Sequence, residues 1–503
     1  AGEGEGSKKS EPAEPLRTFG IGGRNNRTFM LNGEPITLMS GSMHYWRVQP
    51  QQWEYRLWTM REMGLNAIDT YVPWSLHQPT PRARFITSGA LDLVAFVKEA
   101  HRQGLMVIFR PGPYICSELD LGGLPPWLLS TEGVRLRSSK GPFLEAVQKY
   151  FDWLLPLVAP LQWGRGGPII AFQVENEFGH IGGDPKYMEA LRDMMLSGGV
   201  TEMLVTSDAA VPRMLKGGAV PGALRTINFG PPIGAEAGPS LELLRKLQPR
   251  APMMVMELWV GWFDHWGEQH HTVPVPKAVE AVADVLDEGA SFNLYMYHGG
   301  TNFGMTNGAN FFDAFHPTTT SYDYDAPLSE GGGITPKWRA LQKLLKHYQK
   351  RAGFHLLPKR PPPPPAPNAT EYGAVWMEEA LPLLDCPAAF PQKVTALDPL
   401  PMERLPVGDG GGQGLGLLLY RTRLRRRDPT SGRAAVQLRG MHDRAQVFVA
   451  PAEAHSPGER KAAGATTDPN ARFKISIPAA PAGDYVPMGA AGGGWLEVLV
   501  ENM

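Results

Sequence analysis

Short apolar runs alternate with stretches of helical periodicity from about residue 37 to 349. Eight runs read as strands: Thr37–Ser42, Ala67–Val72, Met106–Arg110, Ile169–Val174, Met203–Ser207, Arg225–Asn228, Met253–Met256 and Phe292–Tyr297. Between them the apolar positions recur at helical spacing. In Gln49–Met63, Trp53, Leu57 and Met60 fall at i, i+4 and i+7, on one helix face. Leu91–Arg102, Phe143–Leu157, Tyr187–Leu196, Leu241–Leu247, Lys277–Glu288 and Trp338–Tyr348 repeat the pattern. The segment after the fifth strand, Ala209–Gly222, is broken by Gly and Pro and shows no clear helix. Eight strands with intervening helices predict an α/β fold, a (β/α)8 TIM barrel.

The pattern changes after the barrel. Pro361–Pro365 reads as a stiff linker or a clamp along the barrel surface, with a ligand for a proline-binding module as the alternative. Strand-like pieces follow at Leu417–Thr422, Ala434–Leu438, Ala445–Val449, Phe473–Ile477 and Leu496–Val500, separated by Gly- and Pro-rich turns. They predict an all-β C-terminal module. The expected organisation is a disordered lead-in at 1–15, a catalytic barrel at 16–357, a proline-rich linker at 358–370 and a β-sandwich-like module at 371–503. A strand closing on Met503 predicts that this module is truncated, with an open sheet edge.

Composition narrows the function classes. The chain has 503 residues and a net charge of −1, so no global field favours nucleic acid or a membrane surface. The basic cluster Arg423–Arg427 lacks interleaved aromatics and reads as a solvated edge. No apolar run approaches the ~18 residues of a membrane span. The two cysteines, Cys116 and Cys386, are far apart and give neither a disulfide framework nor metal-ligand spacing. Two glycosylation sequons, at Asn26 and Asn368, lie in predicted surface loops and point to the secretory pathway. The chain begins at Ala1 without a signal-peptide pattern, as a processed or partial chain would.

The chemistry centres on Glu177 and Glu257, at the ends of the fourth and seventh apolar runs. A carboxylate at the end of a core strand is costly to bury without a purpose. One alone is most simply paired with Arg or Lys at the rim. Two of them, beside aromatics and amides, point to a site for a neutral polar ligand such as a sugar. In a barrel both would share the C-terminal rim, and glycoside hydrolysis uses two such carboxyls.

The run Gly166–Phe178, GGPIIAFQVENEF, resembles the signature of the family 35 glycoside hydrolases, the β-galactosidase family, and within it the animal β-galactosidase-1-like proteins. Further matches are SGSMHYWRV (40–48), TYVPWSLHQP (70–79), RPGPYICSELDLGGLP (110–125), MELWVGWFDHWG (256–267), NLYMYHGGTNFG (293–304) and TSYDYDAPLSE (320–330). The resemblance implies an exo-acting, retaining β-galactosidase without cofactor or metal, acting on galactose-terminated glycans in a secreted or lysosomal setting. It places the acid/base on Glu177 and the nucleophile on Glu257. It places sugar contacts on Tyr71, Cys116, Ser117, Glu118, Asn176, Tyr295 and Tyr324, with aromatic surface from Trp259 and Trp262. Trp262 also reads as core packing, and Cys116 as a buried thiol of the pocket wall.

Four positions depart from the family pattern: Ser75, Gln78, Leu119 and Leu258. They leave two other readings open. One is a galactoside-binding protein with weak or no catalysis; the other is a hydrolase of another β-glycoside.

Overall fold

A computed structural model describes residues 17–312, 315–349, 371–407, 411–425, 433–439, 443–451, 461–466, 472–476 and 493–501. The eight strands are β1 (Met39–Met43), β2 (Ala67–Tyr71), β3 (Met106–Arg110), β4 (Ile169–Gln173), β5 (Met203–Ala209), β6 (Ala223–Phe229), β7 (Met254–Trp259) and β8 (Ser291–His298). They are parallel and close into a barrel in chain order, with β8 returning to β1. Every residue of β1, β2, β3, β4, β7 and β8 is buried. Strands covered on both faces read as continuous apolar runs, which is the pattern that marked them in the sequence.

Besides a single turn at Trp74–His77, the α-helices among the described residues are α1 (Trp53–Met63), α2 (Leu93–Arg102), α3 (Phe143–Val158), α4 (Pro185–Ser197), α5 (Pro212–Gly217), α6 (Ala237–Leu247), α7 (Val275–Asp287) and α8 (Pro336–Gln349). Asp92 and Asp184 cap α2 and α4, accepting from Ala95 N and Tyr187 N. Gly64 ends α1 at φ 111°, a conformation that glycine adopts without strain. No clear helix was expected where α5 stands. Its six residues start on Pro212, which suits a first helical turn, and stop at Gly217 and Gly218.

The barrel interior has two layers. Phe29 and Ile36, from the three-stranded sheet Phe19–Gly22, Thr28–Leu31 and Glu34–Ile36, pack with Ala67, Met106, Ile108, Ile170, Met254 and Met256. Burying such a side chain contributes about 1.5–3 kcal/mol, so this small sheet makes an apolar floor. Towards the strands' C-terminal ends the interior turns polar, with Asp69, Arg110, Gln173, Glu257 and Asn293 all buried.

In the C-terminal part, Leu417–Arg425, Gly493–Glu501, Arg444–Pro451 and Lys461–Thr466 form a four-stranded sheet in that order, and Arg433–Gln437 pairs with Arg472–Ser476. All pairings are antiparallel, as expected of an all-β module. Met402, Ala445, Val447, Val498 and Val500 form its core. Strand Lys461–Thr466 had no sequence signal, because its sequence, KAAGAT, is nearly all Ala, Gly and polar. Gly493–Glu501 is an inner strand, paired on both sides, and the edges of that sheet belong to Leu417–Arg425 and Lys461–Thr466. Arg423 therefore sits on an edge strand. The lead-in, the Pro361–Pro365 run, the domain boundaries at 357 and 370, and Asn368 lie outside the described residues. Asn26 is exposed in a turn below the barrel.

Candidate active site

The two glutamates reach the rim differently from the sequence reading. β4 stops at Gln173, and Glu177 follows four residues later in a left-handed turn at φ 50°. Its backbone N–H donates to Ser207 O at the end of β5, at 3.0 Å. Glu257 lies inside β7, which runs on to Trp259. The pairing of β7 with β6 shifts register between Val255 and Glu257. Such a bulge breaks strict alternation. Met256 can then join the apolar floor while its neighbour Glu257 also enters the interior.

Glu257 is held by donors. Arg110 Nη2 donates to Oε1 at 2.6 Å, Tyr71 Oη to the same oxygen at 2.9 Å, and Trp259 Nε1 to Oε2 at 3.1 Å. The Arg110 guanidinium also donates to Asp69 Oδ2 (2.9 Å), Gln173 Oε1 (2.6 Å) and Asn176 Oδ1 (2.9 Å). It lies over the Tyr71 ring, 3.9 Å from its centroid. Burial works against its charge, but Tyr71, Glu257 and Asp69 outweigh that cost and hold it firmly protonated. A buried charge needs such pairing, and charge-assisted hydrogen bonds are the strong ones.

Glu177 has the opposite surroundings. Asn228 Nδ2 donates to its Oε1 at 2.8 Å, and Asn228 is itself fixed by Ser207 Oγ at 2.7 Å. Burial, followed by the nearby charge of Glu257, pushes its carboxyl up to about 8. Glu177 therefore holds its proton at neutral pH, while Glu257 is clamped by a cation. Glu175, two residues earlier, is different again. Arg137 holds it in a two-pronged ion pair at 2.7 and 2.8 Å, and it has a structural role.

The other sequence-predicted residues gather around this pair. Asn176 Oδ1 accepts from Arg110 and Gln173 and lies 2.9 Å from the Tyr71 hydroxyl oxygen, which directs the donor end of its amide away from them. Cys116, Ser117 and Glu118 occupy three successive left-handed positions, at φ 55°, 62° and 46°. Each such residue costs about 1–3 kcal/mol, and strain of this kind concentrates at functional sites. Arg47 fixes the turn through Ser117 Oγ (2.7 Å) and Ser117 O (2.6 Å). Glu118 accepts from the Tyr322 hydroxyl, which lies 3.2 Å from that of Tyr295. Burial raises Glu118 to about 7 and pushes the Cys116 thiol far up, so Cys116 stays a thiol. Tyr324 packs against the Tyr295 and Trp262 rings. Trp262 meets Trp259 and Phe263 ring to ring.

Of the departures, Leu258 is fully buried in the main hydrophobic core and Leu119 pairs by its backbone with Asn307. Gln78 accepts from Trp74 Nε1 at 3.0 Å, beside the buried Ser75. The sequence reading missed Arg47, Asp69, Arg110, Asn228 and Tyr322. A signal existed for two of them, since Asp69 and Arg110 interrupt apolar strands near their C-terminal ends.

A closed (β/α)8 barrel whose rim holds a donor-clamped carboxylate and a buried protonated carboxyl has the architecture of a glycoside hydrolase. The chain belongs to the Glycosyl hydrolases family 35, whose sequence profile matches residues 28–348. The human Beta-galactosidase-1-like protein 2 is 44% identical over 425 residues, covering 84% of this chain and 63% of that protein. The Beta-galactosidase of Canis lupus familiaris is 42% identical over 443 residues, covering 86% of this chain and 63% of that protein. This chain thus spans less than two thirds of the length of these relatives. Among the described residues, no helix is long and apolar enough to cross a membrane.

Proposed function

We propose that this protein is a retaining exo-β-galactosidase that removes terminal non-reducing β-D-galactosyl residues by double displacement. The observation that carries the reading is the contrast between Glu257, gripped by Arg110, Tyr71 and Trp259, and Glu177, raised to about 8 by burial and by Glu257's charge. Glu257 Oε attacks the anomeric carbon, and the bond to the leaving oxygen breaks as Glu177 gives that oxygen its proton. Glycosylation removes the charge on Glu257, so Glu177 becomes the stronger acid and settles as a carboxylate. It then takes a proton from water, whose oxygen attacks the same carbon and releases Glu257. The Asn176 amide faces the 2-hydroxyl, a contact that strengthens as positive charge develops on the ring.

The names of the relatives support galactose as the sugar. The exposed Asn26 sequon supports a secreted or lysosomal setting. Galactose-terminated glycans or glycoconjugates are the corresponding partners. The test is hydrolysis of a panel of aryl β-glycosides by the wild type and Glu257→Gln. The β-galactoside is expected to react fastest, with β-galactose as first product by NMR, and Glu257→Gln to lose about a thousandfold or more. α-Galactose as first product, or unchanged activity in Glu257→Gln, refutes the mechanism. A panel in which another β-glycoside reacts fastest refutes the sugar assignment. Azide is expected to restore turnover to Glu177→Ala on an activated substrate.

A further inference from the structure

The described part of the barrel exposes four large aromatic side chains, Trp266, Phe303, Phe311 and Phe312, and all four lie on the loops after β7 and β8. Single exposed aromatics need no explanation, but a cluster on adjoining loops marks a contact surface. Trp266, Phe311 and Phe312 are 64%, 56% and 70% exposed. Phe311 belongs to the hairpin that pairs Ala309–Phe311 with Phe315–Pro317. Trp266 N donates to Pro317 O at 2.9 Å, which ties the β7 loop to that hairpin.

Two sets of contacts join this surface to the catalytic pocket. Gly308 N donates to Glu118 O at 2.9 Å, and Asp120 N to Thr306 O at 3.0 Å. Phe311 is three residues beyond Gly308, a span of roughly 10 Å in extended chain. The second set is a ladder of rings: Trp259–Trp262 (5.3 Å between centroids), Trp262–Phe263 (4.9 Å), Phe263–His265 (5.4 Å), His265–His316 (5.6 Å) and His316–Phe312 (5.4 Å). It starts at the indole that donates to Glu257 and ends at an exposed phenylalanine. His265 braces it, with Nδ1 2.9 Å from Glu268 Oε2 and Nε2 2.9 Å from Asn310 Oδ1.

We propose that Trp266, Phe311 and Phe312 form a binding platform for the leaving-group side of the substrate, stacking on the sugar rings that follow the terminal galactose. The proposal rests on the function proposed above. An apolar ring face presented to solvent at the mouth of a sugar site matches the C–H face of a pyranose. Continuity with Glu118 and Glu257 favours this occupant over a second copy of the chain.

The experiment uses the full chain and two substrates. One is a β-galactosyl-terminated tetrasaccharide; the other is β-galactosyl fluoride, which has no ring on its leaving side. In Trp266→Ala and Phe311→Ala the ratio of kcat/KM for the tetrasaccharide to that for the fluoride is expected to fall about tenfold, mainly through KM. Trp266→Phe, which keeps a ring, is expected to recover most of it. An unchanged ratio overturns the proposal, as does a loss that Trp266→Phe does not recover. Altered sedimentation of the variants at an unchanged ratio assigns the surface to a second copy and also overturns it. Fluoride hydrolysis by the wild type tests the function alone. If it is absent, the affinity of the wild type and Trp266→Ala for the tetrasaccharide by calorimetry decides: a tenfold loss upholds the platform and equal affinities overturn it.

Discussion

Arg110 donates to Glu257 across 2.6 Å, and both side chains are buried at the centre of the barrel. The same guanidinium reaches Asp69 at 2.9 Å, so one cation serves two carboxylates. Removing one partner of a buried ion pair strands the other, at a cost of about 3–5 kcal/mol. Arg110→Met is expected to lower stability by that amount in urea denaturation and to lose most activity. Arg110→Lys keeps the charge but lacks the planar fork that reaches four acceptors, so it is expected to retain more stability than Arg110→Met while kcat stays low.

The proton on Glu177 depends on the charge of Glu257. Its carboxyl is raised to about 8 first by burial and second by Glu257. An acid is active only while protonated, so kcat/KM is expected to fall as pH rises through about 8. In Glu257→Gln the charge is gone but the burial remains. NMR of a labelled Glu177 carboxyl should then show titration below the wild-type value and still above the usual carboxylate range. An unaltered titration would break the proposed coupling.

Stability carries a related pH signature. Glu177 (about 8), Glu118 and Asp208 (both about 7) are raised mainly by burial, so the folded state binds more protons than the unfolded state above about pH 4.5. Their contribution is present at low pH and is lost as pH rises through the folded values. Buried His77 and His298 are lowered by burial to about 4 and about 3 and act in the opposite sense, losing stability as pH falls below about 6.5. Between about pH 6.5 and 8 the carboxyls are unopposed by these histidines. The melting temperature is therefore expected to decline across that interval, and to decline less in Glu177→Gln.

Two glycines give opposite predictions. A Cβ on Gly299 would stand 1.6 Å from Tyr322 O, whereas a Cβ on Gly20, in the strand Phe19–Gly22, would meet nothing within 4 Å. Gly299→Ala is expected to cost about 3 kcal/mol or more and to raise KM, because it displaces the chain carrying Tyr322. Gly20→Ala is expected to stabilise by about 0.4–1 kcal/mol. Denaturant midpoints and steady-state kinetics separate the two.

Much of this architecture could be read from the chain because buried parallel strands are short, apolar and continuous. Ile169–Gln173 and Met106–Arg110 stand out for that reason. Helix α5 did not, since two prolines and several glycines mask a six-residue turn. The glutamates were legible as charges that a core strand does not otherwise carry. Their partners were not. Asn228 reaches Glu177 from β6 and Arg110 reaches Glu257 from β3; Arg110 stood out as a charge on an apolar strand, but linear periodicity does not say which strand ends face each other across a barrel. The bulge at Glu257 was also hidden, because it depends on pairing with Asn228 rather than on any residue type in MVMELW.

The order of strands in the C-terminal sheet bears on how the chain is made. Among the described residues, Leu417–Arg425 pairs only with Gly493–Glu501, which leaves the ribosome well after it. Throughout that interval the earlier strand lacks the partner it has among the described residues, and an unpaired strand is a template for misassembly. Slow translation between the two would lengthen the exposure. Chaperone demand should therefore track the elongation rate over this stretch more closely than over the barrel, whose strands β2 to β8 each pair with the strand made just before.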